Sequence, residues 1–508
     1  MRKLSRLLAI LAISALTASL AACGSSETGS GSDERSRLTI GAAAVPSSLD
    51  PRRSAPYEAQ WIGMLYDTLV QRAPDGTFTP ALAESWTLSE DARTLDLTLR
   101  PGVTFQDGAP FDAAAVKANL DASRAGGTNF SGQLTNIESV EAVDERQVRI
   151  RLTDSAAPLL GVLAGEAGMI ISPASLGEDL SQRSAGAGPY TLDRFEGQRL
   201  QFTAWDGYWN ASAVRVGGVD LDVFIDDSAR LRALRSGQLD TAFIIPAQVR
   251  EVESTDLQVA RPDTAESFWG VLVNTGRREF GDPLVRQAMM LALDRTAIAR
   301  AVFGEDGCTP SAQPFDPNDW AHSDELDALP AAQYDPARAR QLMAQAGLSG
   351  GFDFELQVGT AQNYTQIGQI LQAQWGEIGI RVNVRPMENV QFVTARRQGD
   401  FDGTVSVYLN ARPDQSAVVR NFYLPGGIFN PGGYDLPGTA ELLAESSSSL
   451  EPEGRAPAMH ELMTNVLNDG PPIMPICVAP RLAAYQPYVQ DLDMTLETKF
   501  TDVAVASS

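Results

Sequence analysis

Side chains able to do covalent or metal chemistry are few in this chain and poorly spaced for it. Its 508 residues hold two histidines, His322 and His460, which leaves few places for a Ser-His-Asp or Cys-His centre to form. His460-Glu461-Leu462-Met463-Thr464 opens like a zinc-protease helix, but Thr464 stands where the second metal-binding histidine is required. Gly186-Ala187-Gly188-Pro189-Tyr190 begins with the glycine spacing of a phosphate loop. Pro189 removes a backbone donor there and the next glycine is missing, so the phosphate reading fails. Acidic residues outnumber basic ones by 64 to 40, so counting leaves a two-carboxylate hydrolytic pair open, and nothing singles one out. The three cysteines, Cys23, Cys308 and Cys477, form no Cys-x-x-Cys pair. The census implies no cofactor, no protein-held metal and no catalytic residue.

Cys23 has a different context. Arg2, Lys3 and Arg6 precede an uncharged, mainly apolar run from Leu7 to Leu20, too short for a stable membrane span. Leu20-Ala21-Ala22-Cys23 resembles the bacterial lipobox, which implies cleavage after residue 22 and lipidation of Cys23. The alternative is an ordinary signal peptide with an incidental cysteine. A two- or three-chain lipid anchor, at about 0.8 kcal/mol per buried CH₂, would hold the protein at the outer face of the cell membrane. Export to an oxidising compartment leaves Cys308 and Cys477 as a disulfide candidate or as two buried thiols. The formal charge of −24 argues against nucleic-acid binding and against contact with an anionic membrane except through the lipid.

The elements that must position any site follow from periodicity. Residues 24–36 are Gly/Ser-rich and polar, a flexible tether. Arg37-Leu38-Thr39-Ile40, Thr94 to Leu99, Val148 to Leu152 and Ile380 to Val384 alternate as strands. Asp282-Pro283 and Asp335-Pro336 are helix starts, each followed by apolar residues at helical spacing, and Gly347 ends the second. A further helix runs from about Tyr364 to Gly379, with Trp375 on its core face. Interleaved strands and helices without a repeat predict α/β lobes.

Several stretches then converge. Ser48-Leu49-Asp50-Pro51, Leu65 to Val70, Pro80 to Trp86, Leu99 to Gly108, Gly186 to Tyr190 and Tyr208-Trp209 resemble blocks of the bacterial extracellular solute-binding proteins of family 5. So do Leu234 to Asp240, Val285 to Ala288, Leu293-Asp294-Arg295 and Tyr334-Asp335-Pro336. Gln106 departs from the family's frequent histidine. The resemblance implies an α/β, two-lobed periplasmic-binding-protein clamp of the cluster C type, with an extra α/β domain in the first lobe. It implies a signal peptide over 1–22, a lipidated tether over 23–36, and a discontinuous first domain over 37–81, 187–272 and 477–508. The extra domain would cover 82–186 and the second lobe 273–476, with chain crossings near Val273-Asn274 and Ile476-Cys477. The implied role is a monomeric, membrane-anchored ABC-importer component that captures a peptide or similar-sized solute by hinge closure and hands it to permease subunits. Two readings from other classes stay open on the same fold, a surface sensory or scaffold lipoprotein and a secreted hydrolase.

Peptide-binding members carry a Trp in the second lobe, followed three residues later by an Asp for the peptide ammonium. Aligned on Phe401-Asp402, Tyr408 takes the Trp position, Ala411 the Asp position, and Asp414 the later Asp of the family's Asp-Pro pair. Arg412, beside Asn410 and Ala411, and Arg420 point to an anionic or carbonyl-rich solute, or else to a solvated loop. An oligosaccharide, an organic anion or a metal chelate would then be alternatives to a peptide, since two distant histidines make a poor nickel site. Tyr57, Phe268, Trp269, Asn430 and Tyr434 complete the candidate ligand contacts, with core packing as the alternative for each aromatic. Restoring a carboxylate with Ala411→Asp is expected to strengthen binding of free peptides over amine-blocked ones, measured by calorimetric titration; equal gains for both would overturn the alignment.

Overall fold

The computed structural model describes residues 36–54, 58–73, 77–262, 264–277, 279–305, 307–360, 362–409, 414–495 and 498–506. Cys23, Tyr57, Asn410, Ala411 and Arg412 lie outside them. Among the described residues no helix is long and apolar enough to cross a membrane.

Three sheets of four or more strands organise residues 36–506. The first-lobe sheet runs, in spatial order, Gln258–Ala260, Ala483–Tyr485, Thr241–Phe243, Arg37–Ala42, Gly218–Val223, Arg199–Ala204 and Tyr190–Glu196. Arg37–Ala42 lies parallel to both its neighbours, and parallel neighbours need a crossover, which the helix Asp227–Arg235 supplies. The second-lobe sheet runs Thr309–Pro310, Ile473–Ala479, Ser267–Val273, Gly403–Leu409, Asp353–Gly359 and Arg381–Met387. Asp353–Gly359 lies parallel to both Arg381–Met387 and Gly403–Leu409, and the helix Gln362–Gly376 joins it to the first of these. Trp375 on that helix is fully buried and donates its indole N–H to Met289 O at 3.0 Å, a core role. The third sheet, Ala83–Leu88, Thr94–Leu99, Gln147–Leu152 and Ile137–Ala142, is wholly antiparallel.

The caps read from sequence are in place. Asp282 accepts from Leu284 N and Asp335 from Arg338 N, each just ahead of a first-turn proline. Buried apolar side chains gather around each sheet, one cluster drawn from residues 265–479 and another from residues 69–187. The crossings differ from the expected ones. Ser267–Val273 and Ile473–Ala479 are neighbouring interior strands of the second-lobe sheet, so neither can contain a lobe boundary. The chain instead leaves the first-lobe sheet after Ala260 and returns between Ala479 and Ala483. Cys308 and Cys477 are joined as a disulfide with Cα atoms 5.6 Å apart, tying the edge strand Thr309–Pro310 to Ile473–Ala479.

The motif stretches do structural work. A Cβ on Gly186 or Gly188 would collide with the backbone of Met64 to Tyr66, which explains both glycines by close chain approach rather than by phosphate. Gln106 reaches the same turn, donating to Tyr190 O at 2.7 Å and accepting from Ser184 at 2.9 Å. Asp67 is fully buried and accepts from Trp209 Nε1 at 2.7 Å and Tyr208 Oη at 3.0 Å, and pairs with Lys499. One carboxylate thus gathers three separate chain pieces. Replacing it by Asp67→Asn leaves Lys499 buried without its counter-charge and is expected to cost about 3–5 kcal/mol, read as a lowered urea midpoint.

Candidate functional site

Period-two alternation decides which second-lobe residues can meet a solute. Along Ser267–Val273, Phe268 points into the lobe and Trp269 to the opposite face. Phe268 is fully buried and stacks on Tyr408 at 5.2 Å, within a cluster that includes Phe422 and Phe429. Trp269 pairs across the sheet with Val407, and both line a cavity of about 450 Å³ between the lobes.

That cavity draws on elements from both sides. The first lobe supplies Ala42 to Pro46 and Ile244 to Pro246, which follow the carboxyl ends of the adjacent parallel strands Arg37–Ala42 and Thr241–Phe243. Carboxyl ends of parallel strands are where open α/β sheets place their ligands. Trp61, on the short helix Ala59–Ile62, packs edge-on against Phe243 with centroids 6.1 Å apart and stacks on Phe500 at 6.0 Å. The second lobe adds Phe303, Gly307 and Asn363, and Trp269 contacts Phe303 at 5.3 Å and Tyr364 at 4.8 Å. The return crossing contributes Pro480, Arg481 and Leu482. Glu58 accepts at both carboxylate oxygens, from Ser47 N at 2.7 Å and Ser47 Oγ at 2.9 Å. Arg481 donates to Gln60 Oε1 at 3.1 Å and lies over the Phe243 ring, 4.3 Å from its centre. Aromatic walls with a few placed polar groups suit a small organic solute.

Two further cavities carry charged side chains. One of about 270 Å³ includes Arg72 and Asp319, which pair across the lobes at 2.5 Å; burial raises the Asp319 carboxyl. The other, about 600 Å³, lies between residues 129–162 and residues 414–428 and is lined by Arg420. Among the described residues no group of three or more His, Cys, Asp or Glu side chains is placed to hold a metal ion.

Of the residues singled out from sequence, Trp269 alone lines the 450 Å³ cavity among those described. Tyr408 and Phe268 are core, on the far face of the sheet. Asn430 ties its own loop, donating to Leu424 O at 2.8 Å and Tyr434 O at 2.7 Å and accepting from Tyr434 N at 2.7 Å. Tyr434 is buried under the Arg286 guanidinium, whose carbon lies 5.3 Å from the ring centre. Asp414 cannot stand in for a missing ammonium partner, because Arg455 holds it in a buried two-point pair at 2.7 and 2.8 Å. Trp61, Phe243, Phe303, Glu58, Gln60 and Arg481 escaped the sequence reading. Their signal, proximity to carboxyl ends of parallel strands and to a crossing, depends on strand order.

Burial by itself would lift the Asp414 carboxyl, but the Arg455 guanidinium outweighs it and holds the carboxyl below the usual carboxylate range. Its contribution to stability is therefore complete above the unfolded carboxylate value of about 4 and is lost as pH falls through the lower folded value. Asp414→Asn is expected to lower stability at neutral pH by about 3–5 kcal/mol and to flatten the acid limb, measured by urea unfolding across pH, with solute preference unchanged.

A sequence model described as bacterial extracellular solute-binding proteins, family 5 Middle, matches residues 77–430. The glutathione-binding protein GsiB of Salmonella paratyphi A is 32% identical over 355 residues, 67% of this chain and 65% of its own length. The chain thus spans just under two thirds of that curated relative. Among solved structures, the binding protein AgaA of A. tumefacien R10 with agropinic acid superposes with a TM-score of 0.79 at 22% identity, covering 93% of this chain and 99% of its own. DppA of Helicobacter pylori, an ABC transporter-associated periplasmic binding protein with peptide STSA, gives 0.78 at 21% identity, with 93% and 99% covered. These superpositions identify the fold as the two-lobed periplasmic-binding-protein clamp.

Proposed function

The chain belongs to the bacterial extracellular solute-binding proteins of family 5, and from that premise we propose that it is the solute-capturing component of an ABC import system. The observation that carries this reading is the aromatic cavity walled by both lobes and by the return crossing. A solute held there touches both lobes only when they are together, so binding favours the closed form by its differential contacts. The short links between the sheets, residues 261–266 and 480–482, are the hinge in this reading. Permease subunits would then distinguish the closed, loaded form from the open one, and the chain does no chemistry on its solute. The lipobox-like stretch supports export and anchoring through Cys23 to the outer face of the membrane, with the protein acting as a monomer.

Short peptides, glutathione among them, are the solute class to test first, because the relative of 32% identity carries glutathione in its name. Residues 24–508, stripped of endogenous ligand, are to be screened by thermal shift against glutathione, di- to tetrapeptides, opine acids, oligosaccharides and a nickel–histidine chelate. A solute at one hundred times its dissociation constant stabilises the folded form by about 2.7 kcal/mol, enough for a clear rise in unfolding temperature. We expect that rise with a peptide-sized solute. No rise with any class would overturn the import reading in favour of a sensory or scaffold lipoprotein.

A further inference from the structure

We infer that Arg72 and Asp319 form a latch that holds the two lobes together before any solute arrives, so that the ligand-free protein already populates the closed form. This deepens the solute-capture reading above and rests on the hinge it uses. Arg72 ends the first-lobe strand Val70–Arg72, and its guanidinium pairs with the second-lobe carboxylate of Asp319 at 2.5 Å. Each half is firmly mounted. Val70 is fully buried beside Leu69 in the apolar cluster of residues 69–187, and its strand pairs with Phe78–Pro80. Asp319 accepts from Ala321 N at 3.0 Å and from Gln415 Nε2, both on its own lobe. The second lobe therefore fixes the carboxylate in place, and the first lobe brings its counter-charge.

The energetics of the pair fall on one conformation. With the lobes together, the Asp319 side chain is 2% exposed and that of Arg72 19%. A carboxylate so enclosed is costly without its counter-charge. Two nearby cations do not replace Arg72. Lys499, which lines the same 270 Å³ cavity, pairs with Asp67, and Arg455, which lies over the neighbouring Trp320 ring, pairs with Asp414. When the lobes part, water takes the place of Arg72 around the carboxylate, and the open form needs no partner. Loss of Arg72 thus penalises the closed form alone and shifts the equilibrium between the two. Neither latch residue lines the 450 Å³ cavity. The latch therefore raises affinity for every solute by the same factor, because apparent affinity scales with the closed fraction, and selectivity is left to the cavity walls.

Small-angle X-ray scattering of residues 24–508, stripped of ligand, reads the lobe equilibrium without any solute. Arg72→Gln is expected to cut the ratio of closed to open form about 10-fold or more, seen as a larger radius of gyration than that of the wild type. Adding Asp319→Asn to that variant removes the uncompensated buried charge and should recover part of the wild-type compactness, a reversal that damaged packing would not give. If Arg72→Gln does not fold, Asp319→Asn alone, nearly the same shape, decides: an enlarged radius supports the latch and an unchanged one overturns it. Equal radii for the wild type and a folded Arg72→Gln, or a double variant no more compact than Arg72→Gln, also overturn it. Those results leave solute capture standing, and a thermal-shift screen without a hit leaves the latch standing.

Discussion

The buried carboxylate of Asp67 is the constraint on which the first lobe depends. A fully buried carboxylate is costly unless hydrogen-bonded and paired, so its partners must arrive together. Those partners, Tyr208, Trp209 and Lys499, come from segments separated from Asp67 by roughly a hundred and forty and four hundred and thirty residues. The residue next to Lys499 is Phe500, whose ring stacks on Trp61 and whose carbonyl accepts from Tyr190 Oη at 2.9 Å. The network that closes a discontinuous lobe thus reaches the solute cavity through one aromatic contact.

The second lobe reaches the same cavity by a different logic. Its sheet is buried on both faces, with successive side chains of Ser267–Val273 and Ile473–Ala479 in the same apolar core, so each strand's register fixes which side every residue faces. Phe268 and Tyr408 fall on one face, and Trp269 and Val407 fall on the other, where they line the cavity. Helical arginines then lock strand ends and loops. Arg286 donates to Phe280 O at 2.9 Å and pairs with Asp469 at 2.8 Å, while Arg295 donates to Pro475 O and Ala332 O, each at 2.9 Å. Burial pulls the Arg295 guanidinium down to about 10, a sign of how completely it is enclosed. Both arginines belong to stretches that carry the family resemblance, and both act on architecture.

That pattern explains how much of the site was legible. Local requirements leave local marks, so the capping aspartates, the strand alternation of Thr94 to Leu99 and the core role of Trp375 could be read directly. The glycines of Gly186-Ala187-Gly188 were visible as unusual, but their reason, a backbone passing at Leu65, is a tertiary fact. Asp414 shows the opposite hazard. By alignment it takes the place of the later Asp of the family's Asp-Pro pair, three residues from the vacant ammonium position, and a helix beginning some forty residues later supplies the arginine that occupies it.

Sequence by itself determined the class of this protein: an α/β chain with a lipobox-like start, strand and helix periodicities, and ordered motifs that place it among family 5 solute-binding proteins. The resemblance of those motif blocks could do so because blocks, caps and amphipathic periods are each written in neighbouring residues. Only the tertiary structure decided which residues line the cavity between the two sheets. Trp61, Phe243, Trp269, Phe303 and Arg481 are scattered over more than four hundred positions and share no period. They meet because strand order sets the carboxyl ends of Arg37–Ala42 and Thr241–Phe243 opposite Ser267–Val273, and because the chain returns between Ala479 and Ala483. A site made where two sheets face each other is a property of strand order and crossing position, and no stretch of sequence contains either.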